Sequence, residues 1–400
     1  MTIATIRPVG SACNLRCKYC YAESSNKASN KMTLDTYKNL SQKIIDYTLD
    51  EVKKTPHMSS LSRKYRVEFL WHGGEPLLVG PTFYKNALKA QDYKLKELRK
   101  RKIKILNKVQ TNGTLVTDPF IRIFKKYSFG VGFSLDGPKE INDKTRVYPD
   151  GRGTFDDIFE NALKLKSKKI LSGCLLVVNK FHINNAPKVF DFFNDNGFNL
   201  QLNPLCMAGR ALENKSMGLT PNQYASFLKD FFKLYLTSDP QIRIRDFDEI
   251  IDAIILNKPL HICTYSGGCK HGSTWGFDWN GDIYPCNRWV GLNFKLGNLN
   301  SCAKLADLKQ TRNFKILDSR DLWTKNSTKC VSCALGRERI CSKTGGCSYN
   351  TYVTKKTLFS HDDTCDAVEA FYIWAKKEIL RFDNGWINEL KRTIDNKSNC

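Results

Sequence analysis

Hydrophobic and polar positions along the first 230 or so residues switch repeatedly between two periods. Short apolar, β-branched runs at residues 3–9, 65–71, 104–111, 130–135, 170–178 and 199–205 predict strands. Between them, apolar positions recur at helical spacing over 34–48, 81–98, 120–126, 154–168 and 184–195. Strands alternating with amphipathic helices predict an α/β fold with a parallel sheet. Six strands fall short of the eight repeats that close a barrel, and no further pair precedes Leu219.

Beyond this first unit, residues 1–230, the alternation stops. Residues 231–262 read as a helical bridge, 263–370 as a small cysteine-rich domain, and 371–400 as a C-terminal helix and tail. The amphipathic stretch of that helix runs over 366–382. Trp279-Asn280-Gly281-Asp282-Ile283-Tyr284-Pro285-Cys286 reads as a hairpin around an Asn–Gly turn.

Composition narrows the setting. Among 400 residues there are 15 cysteines, and neither a secretory apolar core nor a run approaching about 18 apolar residues is present. The reading is therefore a cytoplasmic chain without a membrane span, whose clustered thiols point to metal before disulfides. The formal net charge is +23, with basic stretches such as 94–104 expected at the end of an exposed helix running into a strand. The basic residues are scattered and not interleaved with aromatics on one face. That favours a solvated surface, or attraction for an acidic peptide, over a dedicated nucleic-acid interface.

Cys13, Cys17 and Cys20 form a CxxxCxxC loop directly after the first strand. Three thiols can hold three corners of a cubane 4Fe–4S cluster and leave one iron open for chemistry. A zinc site, or three unrelated buried thiols, is the plainer alternative. The spacing resembles the cluster motif of radical S-adenosylmethionine (SAM) enzymes. The resemblance implies their partial (β/α)6 TIM-type barrel, and SAM chelating the open iron before it splits to methionine and a 5′-deoxyadenosyl radical.

Later strand ends extend the resemblance. Trp71-His72-Gly73-Gly74-Glu75-Pro76, Gln110-Thr111-Asn112-Gly113 and Ser134-Leu135-Asp136-Gly137-Pro138 follow the second, third and fourth strands. Paired glycines let backbone approach a ligand closely, and a carboxylate accepts from an ammonium. The resemblance implies that Gly73, Gly74 and Glu75 meet the SAM amino group, Ser134 the ribose and Arg146 the carboxylate. It adds Tyr19 and Asn112 as further SAM contacts.

Eight cysteines follow: Cys263, Cys269, Cys286, Cys330, Cys333, Cys341, Cys347 and Cys365. Eight thiols are the number that two fully ligated 4Fe–4S clusters need. Their order resembles the SPASM domain, the twin-cluster extension of peptide-modifying radical SAM enzymes. That resemblance implies auxiliary cluster I on Cys263, Cys269, Cys286 and Cys347, and cluster II on Cys330, Cys333, Cys341 and Cys365. Three 4Fe–4S clusters and SAM are thus the expected cofactors. The family's CxxCx5CxxxC run is here CxxCx7Cx5C, and a zinc ribbon on Cys330, Cys333, Cys341 and Cys347 is the competing reading. Cys174 is expected in the core and Cys206 at the end of the sixth strand, while Cys302 and Cys400 are left over.

The residue after Cys286 is Asn287. Anaerobic sulfatase-maturating enzymes, which share this layout, carry an aspartate there as the base for their serine or cysteine target. An amide cannot take that proton. Asp278, Asp282 and His271 lie nearby in sequence, and no catalytic residue is assigned. The resemblance then favours darobactin-type and cyclophane-forming maturases, which cross-link side chains of a ribosomally made precursor peptide through carbon–carbon or ether bonds. Oxidation of serine or cysteine to formylglycine, as in sulfatase maturation, is the alternative, and modification of tRNA a further one. The cluster loop begins at residue 13 and 35 residues follow Cys365, so no added leader-binding domain is expected. The expected partners are a precursor peptide, with an acidic leader suited to the positive field, and a reductant such as flavodoxin.

Overall fold

A computed structural model describes residues 1–22, 30–54, 65–94, 103–238, 240–267, 269 and 272–381. Residues 95–98 of the second expected helix, most of the basic 94–104 stretch, His271, residue 382 and the tail to Cys400 lie outside the described residues.

Six strands, β1 (Thr2–Arg7), β2 (Arg66–Trp71), β3 (Lys104–Thr111), β4 (Gly130–Ser134), β5 (Leu171–Val178) and β6 (Leu200–Pro204), pair in parallel in sequence order. Each lies within a residue or two of its apolar run. Parallel strands are covered on both faces, which is why they read as continuous apolar segments. Ile6, Phe69, Trp71, Val131, Phe133, Leu176 and Val178 are fully buried between sheet and helices.

The helices α1 (Leu34–Lys53), α2 (Pro81–Lys94), α3 (Asp118–Lys126), α4 (Phe155–Ser167) and α5 (Ala186–Asp195) join successive strands. The first begins where the Thr33 side chain accepts from the Thr36 N–H at 3.1 Å, and it buries Tyr37, Leu40, Ile44 and Ile45. It runs five residues past the expected stop at Thr48. The Thr48 hydroxyl donates back to the Ile44 carbonyl at 2.8 Å, which satisfies a buried polar group inside the helix, and the C-cap comes at Lys54.

The helical bridge is a pair, α6 (Pro221–Thr237) and α7 (Arg245–Leu256). The former starts ahead of residue 231 because Thr220 and Gln223 form a capping box with Pro221 in the first turn. The cysteine-rich segment adds β7 (Thr274–Asp278), β8 (Asp282–Tyr284), β9 (Gly297–Asn298) and helix α8 (Arg312–Asn326). Its hairpin does not stand apart. β7 pairs in parallel with β1 from Ile3↔Thr274 to Arg7↔Asp278, and β8 and β9 follow antiparallel, giving one nine-stranded sheet. The turn is longer than a two-residue Asn–Gly turn. The Gly281 N–H donates to the Asp278 carbonyl at 3.0 Å, with Gly281 at φ +83° as the left-handed residue that closes a three-residue loop.

The last helix, α9 (Thr364–Ile379), folds back on α6, where the Phe371 and Phe232 rings meet edge-on at 5.3 Å. No helix among the described residues is long and apolar enough to cross a membrane.

Candidate functional site

The loop after β1 carries Cys13, Cys17 and Cys20, and three other segments hold its backbone. The Gly74 N–H donates to the Gly10 carbonyl and the Glu75 N–H to the Ala12 carbonyl, at 2.9 and 2.8 Å. Arg16 and Lys18 donate to Val147 and Thr145, and Arg210 donates to the Cys20 carbonyl at 3.0 Å. Gly74 has no alternative here, since a Cβ would lie 2.0 Å from the Ala12 oxygen.

Glu75 is fully buried. Its Oε1 accepts from the Leu77 N–H and the Thr111 hydroxyl at 2.9 and 2.8 Å, and its Oε2 from the Asn112 N–H at 2.8 Å. Burial still pushes its pKa up to about 7, against the lowering effect of those bonds. The Asn112 amide nitrogen lies 3.7 Å from Cys13 Sγ and donates to Asn14 Oδ1 at 2.9 Å. Glu75 and Asn112 thus tie the ends of β2 and β3 to the thiol loop. Burial and mutual repulsion raise Cys13, and burial raises Cys17 to about 11, so loading a metal must displace protons.

Asp136, at the end of β4, gathers two more of the expected contacts. The Tyr19 hydroxyl donates to Oδ2 at 2.5 Å, Arg146 Nη2 donates to Oδ1 at 3.2 Å, and Arg146 Nε lies 3.0 Å from Oδ2. Thr145 and the Val177 N–H complete the acceptor's shell. Arg146 therefore faces an internal carboxylate with two of its nitrogens. Ser134 accepts from Gln110 Nε2 at 3.1 Å across the β3–β4 pair.

A second cluster of side chains joins the two halves of the chain. Tyr21 follows Cys20, Asn287 follows Cys286, and the Asn287 amide donates to the Tyr21 hydroxyl at 3.2 Å. The same nitrogen lies 3.4 Å from His72 Nδ1, which accepts from the Gly73 N–H at 2.7 Å. Burial and the charges of Arg7 and Arg288 lower the His72 pKa to about 4, so the ring is neutral near pH 7. Arg288 lies over the Tyr21 and Tyr349 rings at 5.3 and 5.8 Å and donates to Asn350 Oδ1 at 2.7 Å.

Sequence reasoning missed Tyr21, His72 and Arg288 as site residues. Adjacency to Cys20 and to the paired glycines was the available signal for the first two. Asp278 is 3.6 Å from Arg7 Nε, and Asp282 accepts from Lys295 and Asn298 on the hairpin.

Cys330, Cys333, Cys341 and Cys365 line a single apolar cavity with Tyr265 and Gly346. Burial disfavours the Cys286 thiolate, and Cys269, Cys347 and Cys263 repel it. Burial raises Cys347 to about 12, with Asp362 and Cys263 adding to it against the pull of Arg288. Among the described residues, no three histidine, cysteine or carboxylate side chains converge tightly enough to ligate one ion. Four thiols around one apolar cavity are soft donors of the kind that iron–sulfur clusters take. Cys174 is buried in the core, and Cys206, with Tyr21, Cys286 and Cys347, packs against the cluster of Tyr284, Trp289, Phe294 and Tyr349.

Strand order, thiol loop and glycine–glutamate turn together define a radical SAM enzyme, and the radical SAM superfamily pattern matches residues 8–192. The chain is 31% identical to a cysteine-type anaerobic sulfatase-maturating enzyme of Clostridium novyi, over 82% of this chain and 84% of that protein. It is 29% identical to a serine-type anaerobic sulfatase-maturating enzyme of Bacteroides thetaiotaomicron, over 82% and 79%. The solved structure of anSMEcpe with bound AdoMet superposes with a TM-score of 0.76 at 24% identity, covering 99% of this chain and 100% of that one. SuiB of Streptococcus suis, bound to its precursor peptide SuiA, superposes at 0.57 with 17% identity, over 91% and 76%. The chain belongs to the radical SAM superfamily and, within it, to the family of the anaerobic sulfatase-maturating enzymes. The expected fold, a partial barrel followed by a SPASM-like region, is thereby borne out, and membership implies a 4Fe–4S cluster and SAM.

Proposed function

We propose that this enzyme oxidises one side chain of a peptide substrate by two electrons, converting serine or cysteine to formylglycine as the names of its relatives suggest. That places sulfatase-type maturation ahead of the cross-linking favoured by Asn287 alone. The observation that carries the reading is the contact of Tyr21 with Asn287, which sets the residue after Cys20 against the residue after Cys286. A peptide side chain bound beside that contact would lie between the segment of Cys13, Cys17 and Cys20 and the segment of Cys286.

When bound, the cluster and SAM supply a reducing electron and a primary carbon radical that removes a hydrogen atom. This chain's own residues position the partners. Cys13, Cys17 and Cys20 would hold the SAM cluster, with Glu75, Gly73, Gly74, Asn112, Ser134, Tyr19 and Arg146 around SAM. Cys263, Cys269, Cys286 and Cys347, and separately Cys330, Cys333, Cys341 and Cys365, would hold two auxiliary clusters. Placement selects the hydrogen to be removed, and the packed aromatic wall of Tyr21, Trp289 and Tyr349 limits water. The reductant is a small electron carrier such as flavodoxin, and the reduced thiols fit the cytoplasm.

Asn287 supports a second reading. Its amide donates toward Tyr21 and His72, where a sulfatase maturase carries a base, and the nearby Asp278 faces Arg7. A site without that base suits radical attack on a neighbouring side chain, giving a cross-link. Turnover with SAM, reductant and candidate peptides, followed by a hydrazide reagent, separates the two. An aldehyde adduct supports formylglycine formation. A peptide lighter by two hydrogens that resists the reagent and yields joined fragments on proteolysis supports the cross-link instead.

A further inference from the structure

Arg320, on α8, is wholly buried. Its Nη1 donates to the carbonyls of Leu358 and Ser360, and its Nη2 to the Gly345 carbonyl and the Thr351 hydroxyl at 2.9 and 3.2 Å. Its Nε has no hydrogen-bond partner. Every partner is neutral, and among the described residues no carboxylate forms an ion pair with it. Asp362, a carboxylate whose charge acts on it, spends its hydrogen bonds on the Cys347 N–H, the Asn350 amide and the Thr364 N–H.

Burial alone disfavours the charge on a guanidinium held only by neutral partners, so negative charge nearby favours it. Cys347 and Cys269, then Cys365 and Asp362, are the groups whose negative charge acts on Arg320, and the thiols bear that charge only as metal-bound thiolates. The path is short. Thr351, which accepts from Arg320, also donates to the Cys347 carbonyl at 3.1 Å, and Gly345 is two residues from Cys347. The charge of Arg288 also acts on Cys347 and Cys286. Two guanidiniums thus act on the set Cys263, Cys269, Cys286 and Cys347.

We propose that Arg320 is a fixed positive charge that would raise the reduction potential of the cluster that Cys263, Cys269, Cys286 and Cys347 would hold. The inference rests on the two-cluster reading under Proposed function. A fully ligated 4Fe–4S cluster is anionic and gains a further negative charge on reduction, so a nearby cation in a dry site favours the reduced form. When bound, that cluster would supply a site for one electron, and the buried charge of Arg320 would offset the negative charge so added. Arg320 touches neither substrate nor SAM in this scheme and acts as a positioning charge.

The test is an anaerobic redox titration of the reconstituted full chain, followed by electron paramagnetic resonance. Arg320→Gln and Arg320→Met remove the charge, and Arg320→Lys keeps it while changing every hydrogen bond. The expected result is an auxiliary midpoint shifted to more negative potential in both neutral variants and close to wild type in the lysine variant. The SAM-cluster midpoint stays unchanged in all of them. Auxiliary signals at the wild-type midpoint in the neutral variants, or equal shifts in Lys and Gln, overturn the role of Arg320 alone. About four irons per chain and no auxiliary signal in the wild type overturn the two-cluster reading and this inference with it.

Discussion

Gly74 has room for a hydrogen atom and nothing larger, because the Ala12 oxygen sits where a Cβ would go. Gly74→Ala must push the thiol loop off the β2 end. Iron bound by the SAM site should fall at least several-fold while the auxiliary iron remains, read as iron content and resonance signal after reconstitution. Glu75, one residue on, makes a pH prediction. Its ordinary value is 4.5 and burial raises it to about 7 in the folded chain. Between those values the folded chain holds a proton that the unfolded chain has released. Its contribution to stability is complete below about pH 4.5 and is lost as pH rises through about 7. Thermal melts of the metal-free chain should show that decline, and Glu75→Gln should remove it. A slope identical in both proteins would place the titration elsewhere. At this scale the sequence was legible where chemistry is written in residue type, as in the thiols and the glycine pair. It was not legible for Arg146, because the partner that takes two of its nitrogens, Asp136, is brought beside it by the fold.

Among the elements, the hairpin β7–β8 decides how the two thiol regions meet. Local apolar runs located β1 to β6 within a residue or two, since a strand buried on both faces needs no distant information to be recognised. Pairing of β1 with β7 was beyond that signal, because it joins Thr5 to Trp275 across 270 residues. The Asn–Gly reading found the hairpin and misjudged its turn, since Asp278 and not Trp279 accepts the closing bond. Gly276, on β7, faces Cys286 closely: a Cβ there would lie 2.5 Å from the Cys286 carbonyl carbon and 2.8 Å from the Asn287 nitrogen. Gly276→Val should therefore strip about four irons per chain from the auxiliary region and leave the SAM cluster loaded. Retention of full iron would mean that the Cys286 loop does not depend on this contact.

Taken as a whole, the molecule carries a formal charge of +23 and distributes it over many surface lysines, several of them paired with carboxylates along helices. Such a field steers an acidic peptide without specifying its sequence. Affinity for an acidic substrate peptide should fall at least several-fold as salt rises from about 0.05 M to about 0.5 M, where the screening length drops below about 5 Å. Unchanged affinity would assign recognition to apolar contacts. The central claim, hydrogen abstraction from a peptide side chain, is tested most directly with a substrate peptide deuterated on the β-carbon of its target residue. The account predicts deuterium in the 5′-deoxyadenosine and a product lacking one deuterium. Deoxyadenosine that stays unlabelled while the peptide is returned intact would contradict it.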